Sequence, residues 1–201
     1  MSQPHPMGKG RLEAFSDGVI AVIITIMVLE LKVPHGADLR ALLPVLPTFE
    51  VYVLSFVYLG IYWSNHHHML HATERVTGPI LWANLHLLFW LSLVPFTTAW
   101  MGENEFAAVP AAVYGGVLLL SGAAYTILQR TIIAAHGRDS VLARAVGRDR
   151  KGKLSIVCYA IAVPAALYWS TWIALGLYVL VALMWLVPDK RIERALALPD
   201  G

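Results

Sequence analysis

One cysteine, Cys158, is all the thiol chemistry this 201-residue chain contains, and it lies inside an apolar run. An intramolecular disulfide is therefore excluded, and cysteine usage does not report the compartment. Charge is also scarce. Only 14% of residues are Asp, Glu, Lys or Arg, where ordinary globular domains carry roughly one quarter. The net charge of +2 is too small to mark a nucleic-acid binder, and the basic residues lack interleaved aromatic platforms for bases. No internal repeat or low-complexity tract is present. No small-residue cleavage site follows the first apolar stretch, which runs on into Glu30 and Lys32. That stretch reads as a retained helix rather than a secretory signal.

What the chain has instead is apolar length. Hydrophobic residues make up 58% of the sequence, the mean hydropathy is +0.62, and long apolar runs alternate with short polar punctuation. A bilayer core about 30 Å thick needs about 20 apolar residues of helix to cross it. Six stretches approach that length: 14–33, 47–67, 79–101, 106–128, 154–169 and 171–187. The last two form one uncharged run, too long for a single span, and Ser170-Thr171 is the expected turn. The expectation is an all-α integral membrane bundle of six transmembrane helices in a single domain over 1–201.

Lys and Arg are held back on the cytoplasmic side of a membrane, and their placement is lopsided. Lys9, Arg11, Arg75, Arg130, Arg138, Arg144, Arg148, Arg150, Lys151, Lys153, Lys190, Arg191 and Arg194 share one side of a six-span topology, leaving only Lys32 and Arg40 on the other. A multi-pass protein of the cell membrane with both termini cytoplasmic is expected. The basic fourth loop suits anionic lipid headgroups, but reads more readily as a solvated, orienting loop.

Helix 1 carries the most information. The residues between Asp17 and Glu30 would span only about 18 Å of helix at about 1.5 Å per residue, so the span must include acids. Carboxylates at membrane depth face a bundle interior or a water path, which puts helix 1 at the centre. On a helical wheel Gly18, Val22, Thr25, Ile26 and Leu29 share one face, a stripe of branched aliphatics with one hydroxyl. Asp17 points behind that stripe and needs a partner. Arg11, Asn65, His66, His67, Asn84, His86 and Trp90 are the candidates, because such groups must pair in a low dielectric. Ser16-Asp17-Gly18 reads as readily as a helix cap.

His66, His67, His68 and His71 raise the possibility of metal chemistry, since His67 and His71 share a helix face. The acid of a His-Glu-x-x-His arrangement is absent and no second ligand cluster is evident. No metal, no cofactor and no enzyme activity are expected. Pairing with Asp17, proton sensing and plain interfacial histidines are the remaining readings. A proton-coupled transporter using Asp17 or Glu30 is the rival function, but such proteins usually show internal repeats and broken helices. Helix 1 has no Pro or Gly between Gly18 and Pro34.

The segment Arg11-Leu12-Glu13-Ala14-Phe15-Ser16-Asp17-Gly18, continuing to Thr25, resembles the signature of the transmembrane protein 175 family, the lysosomal potassium channel and its bacterial homologues. Similar features continue through Tyr62-Trp63-Ser64-Asn65-His66-His67 and from Asn84 to Pro95-Phe96-Thr97. The resemblance implies a homotetramer of six-helix subunits with helix 1 lining a central cation pathway. It places the narrowest gate at Val22, further constrictions at Ile26 and Leu29, and a potassium-preferring position at Thr25. Valine is smaller than the usual gate residue. Arg11, Phe15, Ser16 and Asp17, with His66, His67 and Asn84, would form a motif network. Potassium is then the permeant species, and modest selectivity is expected, because no Thr-Val-Gly-Tyr-Gly filter exists to strip hydration. Glu30 and Asp38 would concentrate cations near the outer mouth, or serve as ordinary interfacial carboxylates.

Overall fold

The computed structural model describes residues 8–137, 140–147 and 149–186. Val187, Arg138, Arg148, Lys190, Arg191 and Arg194, which entered the span and charge assignments above, lie outside the described residues. Every regular element among the described residues is helical. In order they are α1 (Lys9–Ile26), a 3₁₀ extension (Met27–Glu30), a 3₁₀ segment (Leu39–Val45), α2 (Leu46–His71), α3 (Gly78–Ser92), α4 (Val94–Glu103), α5 (Ala108–His136), α6 (Val141–Val146), α7 (Arg150–Tyr168) and α8 (Thr171–Leu186). The stretches Lys9–Glu30, Leu39–His71, Gly78–Glu103 and Ala108–His136 are long and apolar enough to cross a membrane. α8 is apolar but shorter, and α7 opens on Arg150, Lys151 and Lys153.

Two helices depart from the uniform spans expected. The third is broken at Leu93 into α3 and α4. Pro95 is the cause: it has no N–H to donate and its ring crowds the preceding turn, so the Leu93 N–H turns to Trp90 O at 3.2 Å and α4 starts afresh. Helix 1 tightens to 3₁₀ geometry at Met27, which brings side chains three apart into register. Helical hydrogen bonding also outlasts hydrophobicity at α1, α2 and α5, because helices continue into the polar layer wherever no breaker stops them. α7 closes where the Trp169 and Ser170 N–H groups both donate to Ala165 O.

Two packed clusters hold the bundle together. One gathers Leu12, Ile20, Ile23, Met27, Leu59, Leu87, Leu91 and Leu128 from α1, α2, α3 and α5. The other gathers Tyr58, Met101, Tyr114, Tyr159 and Tyr178 among small residues such as Ala111, Ala162, Ala166 and Ala174. Small residues let helices approach closely where lipid supplies no hydrophobic drive for their association. Gly115 is the tightest case, since a Cβ there would lie 2.0 Å from the Tyr178 hydroxyl.

Candidate pore helix and its anchoring network

Helix 1 has two faces with opposite fates. Leu12, Ser16, Ile20, Ile23 and Met27, spaced three and four apart, are buried against the rest of the chain. Phe15, Gly18, Val22, Thr25, Ile26 and Leu29 point away from it. Val22 is 57% exposed and Leu29 79%, so this stripe has no cover within its own chain. The Thr25 hydroxyl donates back to Ala21 O at 2.9 Å and Val22 O at 3.0 Å. Its proton is thereby committed to the helix, and its oxygen lone pairs face outward as acceptors.

The buried face is anchored by polar contacts. Asn84 Nδ2 on α3 donates to Ser16 Oγ at 2.9 Å, and Ser16 Oγ donates to Leu12 O at 2.8 Å. Asn84 Oδ1 lies 2.7 Å from His66 Nε2 on α2. An amide oxygen only accepts, so His66 carries its proton on Nε2, and His66 Nδ1 is buried without a hydrogen-bond partner among the described residues. Ser16, His66 and Asn84 are all fully buried. One chain of bonds therefore ties α1, α2 and α3 together in the buried interior of the bundle, where unpaired polar groups are costly.

Asp17 is held by a residue that was not among its candidate partners. Trp63 Nε1 donates to Asp17 Oδ1 at 3.1 Å. The available signal was that an indole N–H is a donor with no alternative role and must find an acceptor at that depth. Asn65 donates instead to Ile61 O within α2, and His86 accepts from Trp90 Nε1 at 2.9 Å. Arg11 and Phe15 are not brought to the Ser16 network. With Leu12, Leu81 and Leu85 they line an open recess of about 310 Å³ between α1 and α3. His67 is exposed on α2, its ring 6.2 Å from Trp63 and 6.3 Å from His71. Among the described residues no group of three or more His, Cys, Asp or Glu is placed to hold a metal ion.

At the opposite end, Glu30 closes the 3₁₀ extension of helix 1 and is exposed. Asp38 caps the next 3₁₀ segment by accepting from Ala41 N at 3.1 Å. Lys32 pairs with Glu103 at 2.6 Å, and that hydrogen bond, with the carboxylate charge, holds the Lys32 ammonium above its ordinary range. The pair ties the segment just after helix 1 to the end of α4.

These features define a multi-pass, all-helical membrane protein whose first helix is anchored on one side and bare on the other. Residues 11–95 match the family described as endosomal/lysosomal potassium channel TMEM175. A potassium channel of Chryseobacterium sp. (strain P1-3) is 54% identical over 190 residues, covering 94% of this chain and 98% of that one. A potassium channel of Chamaesiphon minutus is 30% identical over 199 residues, covering 90% and 94%. The crystal structure of a lysosomal potassium-selective channel TMEM175 homolog from Chamaesiphon minutus superposes with a TM-score of 0.76 at 28% identity, covering 90% of this chain and 97% of that one. The chain belongs to the TMEM175 family and is a channel protein, not an enzyme.

Proposed function

We propose that this protein is a potassium-permeable cation channel of the cell membrane, a homotetramer in which four copies of α1 line a central pore. The bare apolar stripe on helix 1 carries this reading. A face that exposes Val22, Ile26 and Leu29 while its opposite side is hydrogen-bonded into the bundle is complete only when further copies cover it. A closed ring buries the same stripe from every subunit. Rings of Val22, Ile26 and Leu29 gate by dewetting when narrow and conduct when slightly dilated. The outward lone pairs of Thr25 give a cation one layer of acceptors, consistent with modest preference for potassium over sodium. Each subunit crosses the membrane six times, α7 and α8 supplying the last two spans, with both termini cytoplasmic by the distribution of Lys and Arg.

The rival, a proton-coupled transporter using Asp17 or Glu30, needs a carboxylate free to exchange its proton; Asp17 is engaged by Trp63. The deciding experiment is the reversal potential of the purified protein in a planar bilayer with potassium on one side and sodium on the other. Channel currents reversing toward the potassium equilibrium potential are expected. A folded protein that passes no current removes the channel reading and turns attention to the transporter, whereas a current reversing at zero removes only the preference for potassium.

A further inference from the structure

His136, the last residue of α5, carries three hydrogen bonds whose partners leave its chemistry no choice. Nδ1 lies 2.9 Å from Ile132 O, a carbonyl that can only accept, so Nδ1 bears the ring proton. Nε2 lies 3.1 Å from Glu74 N and 3.0 Å from Arg75 N, two backbone groups that can only donate, so Nε2 bears none. The geometry specifies a neutral imidazole in one tautomer. Two consecutive N–H groups converging on one atom form the kind of concavity that binds negative or lone-pair acceptors. A proton on Nε2 would point at both donors, and both bonds would be lost together.

The turn held this way joins α2 to α3. Those are the helices that carry His66 and Asn84, and through them the anchor on Ser16 of helix 1. Thr73, at the start of the turn, is buried and tied to α2 by its hydroxyl, which donates to Met69 O at 3.0 Å. Residues 74 and 75 have the His136 ring as their bridge to α5. His136 is only partly buried, so water and its protons reach the ring.

We propose that His136 is a proton-operated latch on the α2–α3 turn, closed when the imidazole is neutral and released when Nε2 is protonated. Acid on the side of the membrane that holds the N-terminus then loosens the turn and slackens the anchoring of helix 1. The charged and titratable groups around this end are Glu74 and Arg75 on the turn, His68 and His71 on α2, and Lys9 and Glu13 on α1. Arg11 on α1, Arg130 on α5, Arg144 on α6, Asp149 capping α7 and Arg150, Lys151 and Lys153 on α7 complete the set among the described residues, and α3 brings none to this end. Lys9 is committed to Glu13 and to the carbonyl of His71. None of these groups takes the place of the two N–H donors at Nε2.

The latch rests on hydrogen-bond geometry alone; its effect on current rests also on the channel reading, so two measurements separate them. The first is amide hydrogen exchange at Glu74 and Arg75 in the full-length protein at pH 7.5 and 5.5, corrected for the intrinsic pH dependence of exchange. Protection at both amides is expected to fall by roughly fivefold to tenfold at the lower pH, the loss of one net hydrogen bond each. His136→Gln, which keeps an acceptor but cannot titrate, should stay protected at both values, and His136→Ala should be unprotected at both. Unchanged protection in the wild type, or the same acid-induced loss in His136→Gln, overturns the latch. The second is bilayer current against pH on the N-terminal side. A pH response present in the wild type and absent in His136→Gln supports coupling to the pore, and identical responses overturn it. A latch that titrates in a protein that passes no current counts against the channel reading alone.

Discussion

Trp63 on α2 and Asp17 on α1 are joined by a single hydrogen bond, indole N–H to carboxylate, at 3.1 Å. The pair links the residue next to Ser16 on helix 1 to α2, beside the Ser16–Asn84–His66 chain. Two independent attachments thus hold the same short stretch of helix. That matters because the other face of helix 1 has to be free to face its symmetry mates.

Trp63→Phe keeps the ring but deletes the donor. A hydrogen bond to a charged group contributes about 1.5–3 kcal/mol, and a loss of that order in thermal stability in detergent is expected. The loss should largely vanish when Asp17→Ala, which removes the acceptor, is already present. If the double-mutant cycle shows no coupling between the two, the bond contributes nothing.

Asn84→Leu removes both arms of the buried chain and leaves Ser16 and His66 without it. The His66 Nε2–H is left a buried donor without an acceptor, at a cost of about 1–3 kcal/mol, whereas Ser16 keeps its bond to Leu12 O; the unfolding temperature and the oligomer fraction on size exclusion should both fall. Adding His66→Leu should recover part of the loss. A variant as stable as the wild type would show that helix 1 is positioned by apolar packing alone.

Neighbouring glycines on α5 offer an internal control. A Cβ on Gly115 would meet the Tyr178 hydroxyl at 2.0 Å, whereas one on Gly116 meets nothing within 4 Å. Gly115→Ala should destabilise by about 1–3 kcal/mol through overpacking. Gly116→Ala should be neutral or slightly stabilising, since alanine is the better helix former. Equal effects in chemical denaturation would contradict the close approach of α5 and α8.

Val22→Asn places a polar ring at the narrowest proposed layer. Potassium flux in liposomes should rise, because a wetted constriction no longer blocks by dewetting. Thr25→Val should lower the potassium-to-sodium permeability ratio while leaving expression intact. Unaltered flux in the first variant would move the gate to another layer.

The Lys32–Glu103 pair has a definite sign with pH. The lysine's folded value is raised above its ordinary 10.5, so its contribution is fully present below that value and disappears only as pH climbs through the raised one. Stability contributed by Lys32 should therefore be flat between pH 7 and 9, and Lys32→Gln should not change the slope of unfolding temperature with pH over that window. A slope that does change would assign the titration to this pair.

Much of helix 1 was legible in the one-dimensional pattern. Two acids separated by too short an apolar run forced Asp17 to membrane depth, and 3.6-residue periodicity separated the Val22–Leu29 stripe from the Ser16 side. The break before Pro95 was not part of that reading: the apolar pattern presents 79–101 as one span, and the proline's missing donor divides it. Trp63 was harder. Its partner lies 46 residues away, and an indole at a span's end looks the same whether it faces lipid or a carboxylate.

The sequence by itself determined the medium, the helical class and the family. Apolar runs of bilayer length can satisfy their backbone groups only as helices, and the Arg11 to Thr25 signature is local. Only the tertiary structure decided who pairs with whom: Ser16 with Asn84, Asp17 with Trp63, and His136 with two backbone amides of a turn 61 and 62 residues earlier. Such partnerships depend on how helices cross and rotate, and those angles are set by shape complementarity among many side chains at once.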